Sequence, residues 1–319
     1  MAKLSRPRKG SLQFYPRKRI DKFLPSVNWS LINSSKPSVL GFIAYKAGMA
    51  TALVKDMTEH SMTKNKPVYI PVTILEVPPM KIFSVRFYKH KHVLREVIVS
   101  HDKELKRKLK LPKEHKTLEG NIPEQYDDVK VIVYSLPKQA EIKKTPDLIE
   151  IAVAGKNTHE KLEFIKSHIG KEITLDSLMA SESKLFDIRG LTKGKGLVGP
   201  VKRFGLTLKA HKSEKGRRRP GSLGPWHPPR VTYLAPMAGQ MGLFTRVHYN
   251  FIPITHGKIS EKDINPISGF KHYGKVNSSY IIFKGSVQGP PFRQILLTAS
   301  FRPTKHQLKK KYEFLGLQQ

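Results

Sequence analysis

Val68-Tyr-Ile-Pro-Val-Thr-Ile-Leu-Glu-Val77 and, beyond the break at Pro78-Pro79, Ile82-Phe-Ser-Val-Arg-Phe-Tyr88 are short runs of β-branched and aromatic residues. Such runs, bounded by turn-forming residues, predict strands. Working towards the N-terminus, Val39-Leu-Gly-Phe-Ile-Ala-Tyr45 and Thr51-Ala-Leu-Val54 have the same character, with Gly48 and Asn65 as punctuation. Towards the C-terminus it returns in Lys184-Leu-Phe-Asp-Ile-Arg189, Tyr280-Ile-Ile-Phe283 and Gln294-Ile-Leu-Leu-Thr-Ala-Ser300. The segment between is mixed. Asp102 to Lys110 predicts a helix that ends before Pro112, and Val129 to Tyr134 and Leu148 to Val153 predict strands. Thr158 to His168 predicts a helix with Thr158 as its N-cap, stopped at Gly170. The simplest architecture is mainly β: a barrel whose strands come from both sides of an inserted α+β lobe.

Charge supplies the first functional constraint. The 319 residues hold 58 Lys+Arg and 25 Asp+Glu, a formal net charge of +33. At that charge a compact chain repels itself unless a polyanion neutralises it, so nucleic acid and anionic membrane surfaces are the partner classes to weigh. With 39% apolar and 9% aromatic residues, the chain is rich enough to bury a core. The absence of cysteine excludes disulfides, thiolate zinc sites and cysteine nucleophiles. No apolar run approaches a bilayer span and none follows the basic N-terminus, which predicts a soluble chain.

The excess charge is unevenly placed. Residues 101–170 contain 14 Lys+Arg and 12 Asp+Glu, close to neutral. Residues 1–20 contain seven Lys/Arg and no acid, and residues 191–250 contain twelve with Glu214 alone against them. A surface that serves only solubility mixes its signs. Acid-free stretches predict phosphate contacts, which here gives an N-terminal arm bearing Arg6, Arg8, Lys9, Arg17, Lys18 and Arg19 around Phe14-Tyr15. A second basic segment carries Lys193, Lys195, Lys202, Arg203, Lys212, Arg217, Arg218, Arg219, Arg230 and Arg246. Within it Gly224-Pro-Trp-His-Pro-Pro-Arg230 sets Trp226 and His227 among prolines. A flat indole held with little entropy to lose can stack on an unpaired base, so this segment predicts a long finger ordered by RNA.

Catalytic readings are weak by comparison. Gly194-Lys-Gly-Leu-Val-Gly199 spells a dinucleotide-binding string, but Pro200 and a Gly/Pro/Arg-rich stretch follow where a crossover helix is needed. His90 and His92 lack the cysteine or carboxylate partners of a zinc site. Ser222 and Ser286 miss the spacing of a nucleophile elbow. The residues therefore predict no enzyme, cofactor or metal. The competing possibilities are a nucleotide-dependent enzyme using the Gly194–Gly199 loop and a nucleic-acid chaperone.

Seven ordered stretches then resemble one family: Ser5 to Arg19, Tyr45 to Met49, Val72 to Met80, Asp187 to Gly196, Gly224 to Pro228, Gly269 to Gly274 and Lys284 to Gly289. They are similar to the universal large-subunit ribosomal protein L-three family, and the resemblance covers nearly the whole chain apart from about 100–145. It implies a translation-protein type β-barrel over 38–99 and 173–319, an inserted α+β lobe over 100–172, a basic arm over 1–37 and a central finger over 193–248. It also implies direct binding to 23S-type large-subunit rRNA, a role early in subunit assembly, and a finger whose tip, Trp226, approaches the peptidyl transferase centre. Implied neighbours are other large-subunit proteins, among them L-fourteen and L-twenty-four-e, in a cytoplasmic ribosome. Eukaryotic relatives carry a modified histidine twelve residues before the tryptophan, where this chain has Glu214, and a long basic tail that is absent after Gln319. Both differences point to an archaeal-type member.

Overall fold

The computed structural model describes residues 10–31, 36–113, 117–179 and 184–318. β1 (Gly41–Asp56), β2 (Pro67–Val77), β3 (Met80–Lys89) and β4 (His92–Ile98) come first. β5 (Asp128–Ser135), β6 (Leu148–Ala152), α1 (Thr158–His168) and α2 (Asp176–Met179) follow. Next are β7 (Phe186–Leu191), β8 (Gly196–Val198), α3 (Pro200–Phe204), β9 (Gly239–Met241), β10 (Thr245–Phe251) and β11 (Pro253–Lys258). β12 (Ser279–Lys284), β13 (Gln294–Ala299), α4 (Lys305–Leu308) and β14 (Tyr312–Leu317) complete the chain. The protein is mainly β, as expected. Among the described residues no helix is long and apolar enough to cross a membrane.

The chain divides into two compact units, one of Met1–Phe23 with Leu191–Arg246 and one of Leu24–Gly190 with Val247–Gln319. The larger unit is built on an eight-stranded sheet of order β10-β7-β13-β1-β2-β12-β11, with β14 also pairing on β1. By its hydrogen-bonded ladders the sheet is open among the described residues. Its end strands, β10 and β11, are nevertheless separated in the chain by Ile252 alone. Asn250 at φ +59° and Pro253, which has no N–H to donate, mark the bend.

A separate four-stranded sheet, β4-β3-β5-β6, is antiparallel throughout. It takes strands from both sides of residue 100. β3 and β4 form a hairpin in which Lys89 faces His92, and its two turn residues, His90 and Lys91, both have positive φ, as such two-residue hairpins require. The two sheets share one core. Phe42, Ile43, Leu75, Phe186, Leu296 and Leu297 from the large sheet pack in the same cluster as Val85, Phe87, Val131, Ile151 and Ile165.

Several expectations change. The two predicted strands on either side of Gly48 are one 16-residue strand, β1, with a register shift between Lys46 and Gly48. Gly48 is there for close packing, since a Cβ on it would lie 3.3 Å from Cδ1 of Phe270. The predicted helix over 102–110 shrinks to a 3-10 turn at Lys103–Arg107. Leu105 is its only buried residue, and the Asp102 carboxylate accepts from the Tyr134 hydroxyl at 2.5 Å. One apolar anchor does not offset the cost of nucleating a helix. In α1 the N-cap position falls on Asn157, and Thr158 is the first helical residue. The Glu160 carboxylate accepts from the Lys156 amide at 3.0 Å instead. Trp29 lies in a 3-10 turn, is buried against Gly41 and donates its indole N–H to the Glu150 carbonyl at 3.2 Å.

Four of the seven family-like stretches meet in the larger unit. Glu76, fully buried in β2, accepts from the Tyr273 hydroxyl, from the amides of Asn277 and Ser278 at 2.8 and 2.9 Å, and from the Ser278 hydroxyl at 2.9 Å. Lys46 is buried and donates to the carbonyls of Val287 and Gly289. These residues hold the sheet together, which accounts for their chemistry without a catalytic role.

Candidate nucleic-acid interface

The smaller unit contains 20 Lys+Arg against Asp21 and Glu214. Its frame is short. β8 pairs antiparallel with β9, Gly196 facing Met241 and Val198 facing Gly239. α3 is a single turn, with Pro200 at its start and Gly205 in the left-handed conformation at its end. The strand following the Gly194–Gly199 string is thus antiparallel and the helix has five residues, so the βαβ geometry that would present a pyrophosphate site is not formed.

Residues 10–23 pack onto this frame. The Arg17 guanidinium lies 4.4 Å from the centre of the Phe204 ring. Gly10, at φ +79°, approaches the same ring so closely that a Cβ would sit 2.6 Å from it. The Ile20 amide donates to the Leu243 carbonyl at 3.3 Å. Arg203 donates to the carbonyls of Gln240 and Met237, both at 3.0 Å. Arg246 lies 3.8 Å over the Phe14 ring. Burial and then the nearby charge of Arg17 lower the proton affinity of both Arg203 and Arg246. Cations are being held together with little acid between them.

The expected contact residues separate into two groups. Arg17, Arg203 and Arg246 are half-buried and bond to backbone carbonyls. Lys18, Arg19, Lys193, Lys195, Lys202, Lys212, Arg217, Arg218, Arg219, His227 and Arg230 are exposed. Arg6, Arg8 and Lys9 lie outside the described residues. The Lys209 amide donates to the Arg217 carbonyl and Arg217 Nε donates back to the Lys209 carbonyl, each at 3.2 Å. Lys215 and Gly216 turn the chain there with positive φ. Further along the chain, Trp226 is 86% exposed beside Pro225 and Pro228, over a cavity bordered by Leu223, Pro229 and Val231. An exposed Trp in a proline-bound turn is a stacking face without a protein partner to cover it.

Sequence reasoning underrated the apolar residues of this unit. Phe204 and Phe244 carry no sequence signal, because single large residues in a Gly/Pro-rich stretch show no periodicity. The usable signal was Gly242. Its φ is +78°, and a Cβ there would lie 1.9 Å from the Lys193 carbonyl oxygen, so the chain doubles back at that point. Among the described residues, no three His, Asp or Glu side chains come together as a metal site.

The chain thus combines an acid-poor cationic unit that exposes a Trp with a mainly β unit. Comparison with known proteins gives the class. The family model described as ribosomal protein L3 matches residues 1–315. The "Large ribosomal subunit protein uL3" of Methanocaldococcus jannaschii is 38% identical over 96% of this chain and 94% of its own length. That of Methanothermobacter thermautotrophicus is 40% identical, over 95% of this chain and 94% of its own length. That of Methanocorpusculum labreanum is 38% identical, over 98% of both. The chain belongs to the ribosomal protein L3 family, in its archaeal type. It is a structural constituent of the large ribosomal subunit, alongside rRNA and other ribosomal proteins in the cytoplasmic ribosome, and is not an enzyme.

Proposed function

We propose that the chain binds large-subunit rRNA directly through the unit formed by residues 1–23 and 191–246, supports early subunit assembly, and sends the Trp226-tipped finger towards the peptidyl transferase centre. The observation that carries this reading is the concentration of 20 Lys+Arg against two acids in the unit that also exposes Trp226. Charge without counter-charge is the signature of phosphate binding. The eight-stranded sheet is read as a translation-protein type barrel, because β10 and β11, the ends of its order, are one residue apart in the chain. The near-neutral lobe expected over 100–172 is read as the face turned to solvent or to protein neighbours such as L-fourteen and L-twenty-four-e.

Binding of the full chain to a large-subunit rRNA transcript, measured across a salt series, tests this. Replacing Arg217, Arg218 and Arg219 together by Ala should lower the slope of log K against log salt by about 2–3, as each lost phosphate contact removes about 0.7–0.9. Ribosomes carrying Trp226→Ala should form subunits in normal yield yet show altered peptide-bond kinetics and drug sensitivity. Unaltered kinetics would remove the tip from the reading.

A further inference from the structure

We propose that the cavity at the base of the finger receives the base of one unpaired RNA nucleotide, with the adjoining phosphates on Lys193 and Lys195. This rests on the rRNA-binding reading above and adds to it a single-nucleotide site.

The cavity measures about 430 Å³ and lies wholly within the smaller unit. Small-ligand sites run about 300–1,000 Å³, so it is large enough for a base. The cavity beside Ile264 and Phe314 is about 100 Å³ and is too small, and the one under Trp226, about 520 Å³, has Arg230 as the one cation among its lining residues. The walls at the finger base include Phe14, Met241 and Phe244, and Arg246 contributes a guanidinium plane stacked at 3.8 Å on Phe14. Lys193 and Lys195 stand exposed at the rim, and no carboxylate lines the cavity. Flat apolar walls favour a planar ring, and an all-cationic rim favours phosphate over any neutral or cationic ligand. Burial and Arg17 already disfavour the charge on Arg246, so an anion at the mouth relieves that repulsion.

The site is preformed. The Lys195 amide donates to the Met241 carbonyl at 2.9 Å, and the Thr192 amide to the Phe244 carbonyl at 3.0 Å. The tight approach at Gly242 fixes the floor. A wall set by backbone bonds loses little entropy on binding. Base contact and phosphate contact are also separable: the first is independent of salt and the second depends on it.

The test uses the full chain and a large-subunit rRNA transcript, with base-reactivity probing and binding measured over a salt series. Phe14→Ala and, independently, Ser11→Trp, which fills the cavity from an exposed position, should each weaken binding about tenfold at unchanged salt slope. Both should restore reactivity to the same one or two nucleotides. Lys193→Ala with Lys195→Ala should instead lower the slope by about 1–2. Protection of the Thr192 amide, bonded to the Phe244 carbonyl, reports that each variant keeps its fold. Variants that bind as the native chain does, with no nucleotide changing reactivity, overturn the proposal while leaving rRNA binding intact. Failure of the native chain to bind rRNA in a salt-dependent way overturns the wider reading as well. Displacement of the RNA by adenosine or uridine 5′-monophosphate would reassign the cavity to a free nucleotide and overturn the RNA source.

Discussion

Arg17 and Arg203 each donate a guanidinium N–H to the other's backbone carbonyl, at 3.3 Å in both directions. The exchange ties residues 10–23 to α3 with two like charges and no acid between them. A guanidinium satisfied by carbonyls gains charge-assisted hydrogen bonds while keeping its full charge.

Arg203→Ala removes donors to the carbonyls of Arg17, Gln240 and Met237. A single bond to a charged group contributes about 1.5–3 kcal/mol, so the smaller unit should loosen by at least that much. Hydrogen exchange should show lost protection at the Ile20 and Lys195 amides, with the amides of β2 unchanged. Arg203→Lys should rescue little, because an ammonium cannot reproduce the planar fork.

Gly242→Ala is the most damaging small change expected in the unit. Its Cβ would fall 1.9 Å from the Lys193 carbonyl oxygen in a backbone conformation that L-residues avoid. The strain and the forced displacement should cost about 1–3 kcal/mol each. Exchange at the Lys195 amide reads the effect. Gly196→Ala is the control, since it shares a positive φ but has nothing within 4 Å of its Cβ.

Asp56 sets a pH dependence in the larger unit. Burial alone would raise its pKa, but hydrogen bonds from the Ser61 and Thr63 hydroxyls, both at 2.6 Å, and from the Thr58 amide at 2.9 Å hold it well below the ordinary aspartate range. The folded pKa is depressed, so its contribution is complete above an unfolded value of about 3.9 and is lost as pH falls below it. Asp56→Asn should therefore be less stable by about 1–3 kcal/mol at neutral pH. That gap should close as pH falls towards 2 in urea-unfolding series on both chains.

The strands that sequence reasoning locates are those with runs of β-branched or aromatic residues: β2, β3, β5, β6, β7, β12 and β13. Gly48 divides β1 on paper because glycine is read as punctuation, whereas here it makes room for the ring of Phe270, 222 residues away in the chain. β10 and β11 escaped notice because Thr245-Arg-Val-His-Tyr-Asn-Phe251 and Pro253-Ile-Thr-His-Gly-Lys258 are mixed in polarity and mostly half-buried. Charge mapping picks out the acid-free segments, which are visible without any fold. It did not separate Arg17, Arg203 and Arg246, which bond within the chain, from the exposed lysines and arginines. That distinction depends on contacts between residues nearly two hundred positions apart.

Consider what holding the smaller unit together by carbonyls means in multipole terms. A salt bridge cancels a monopole, whereas a cation solvated by peptide dipoles keeps its long-range field. The cement between Arg17, Arg203 and their carbonyls therefore costs the surface none of its potential. The same side chains that brace the fold still draw a polyanion from a Debye length away.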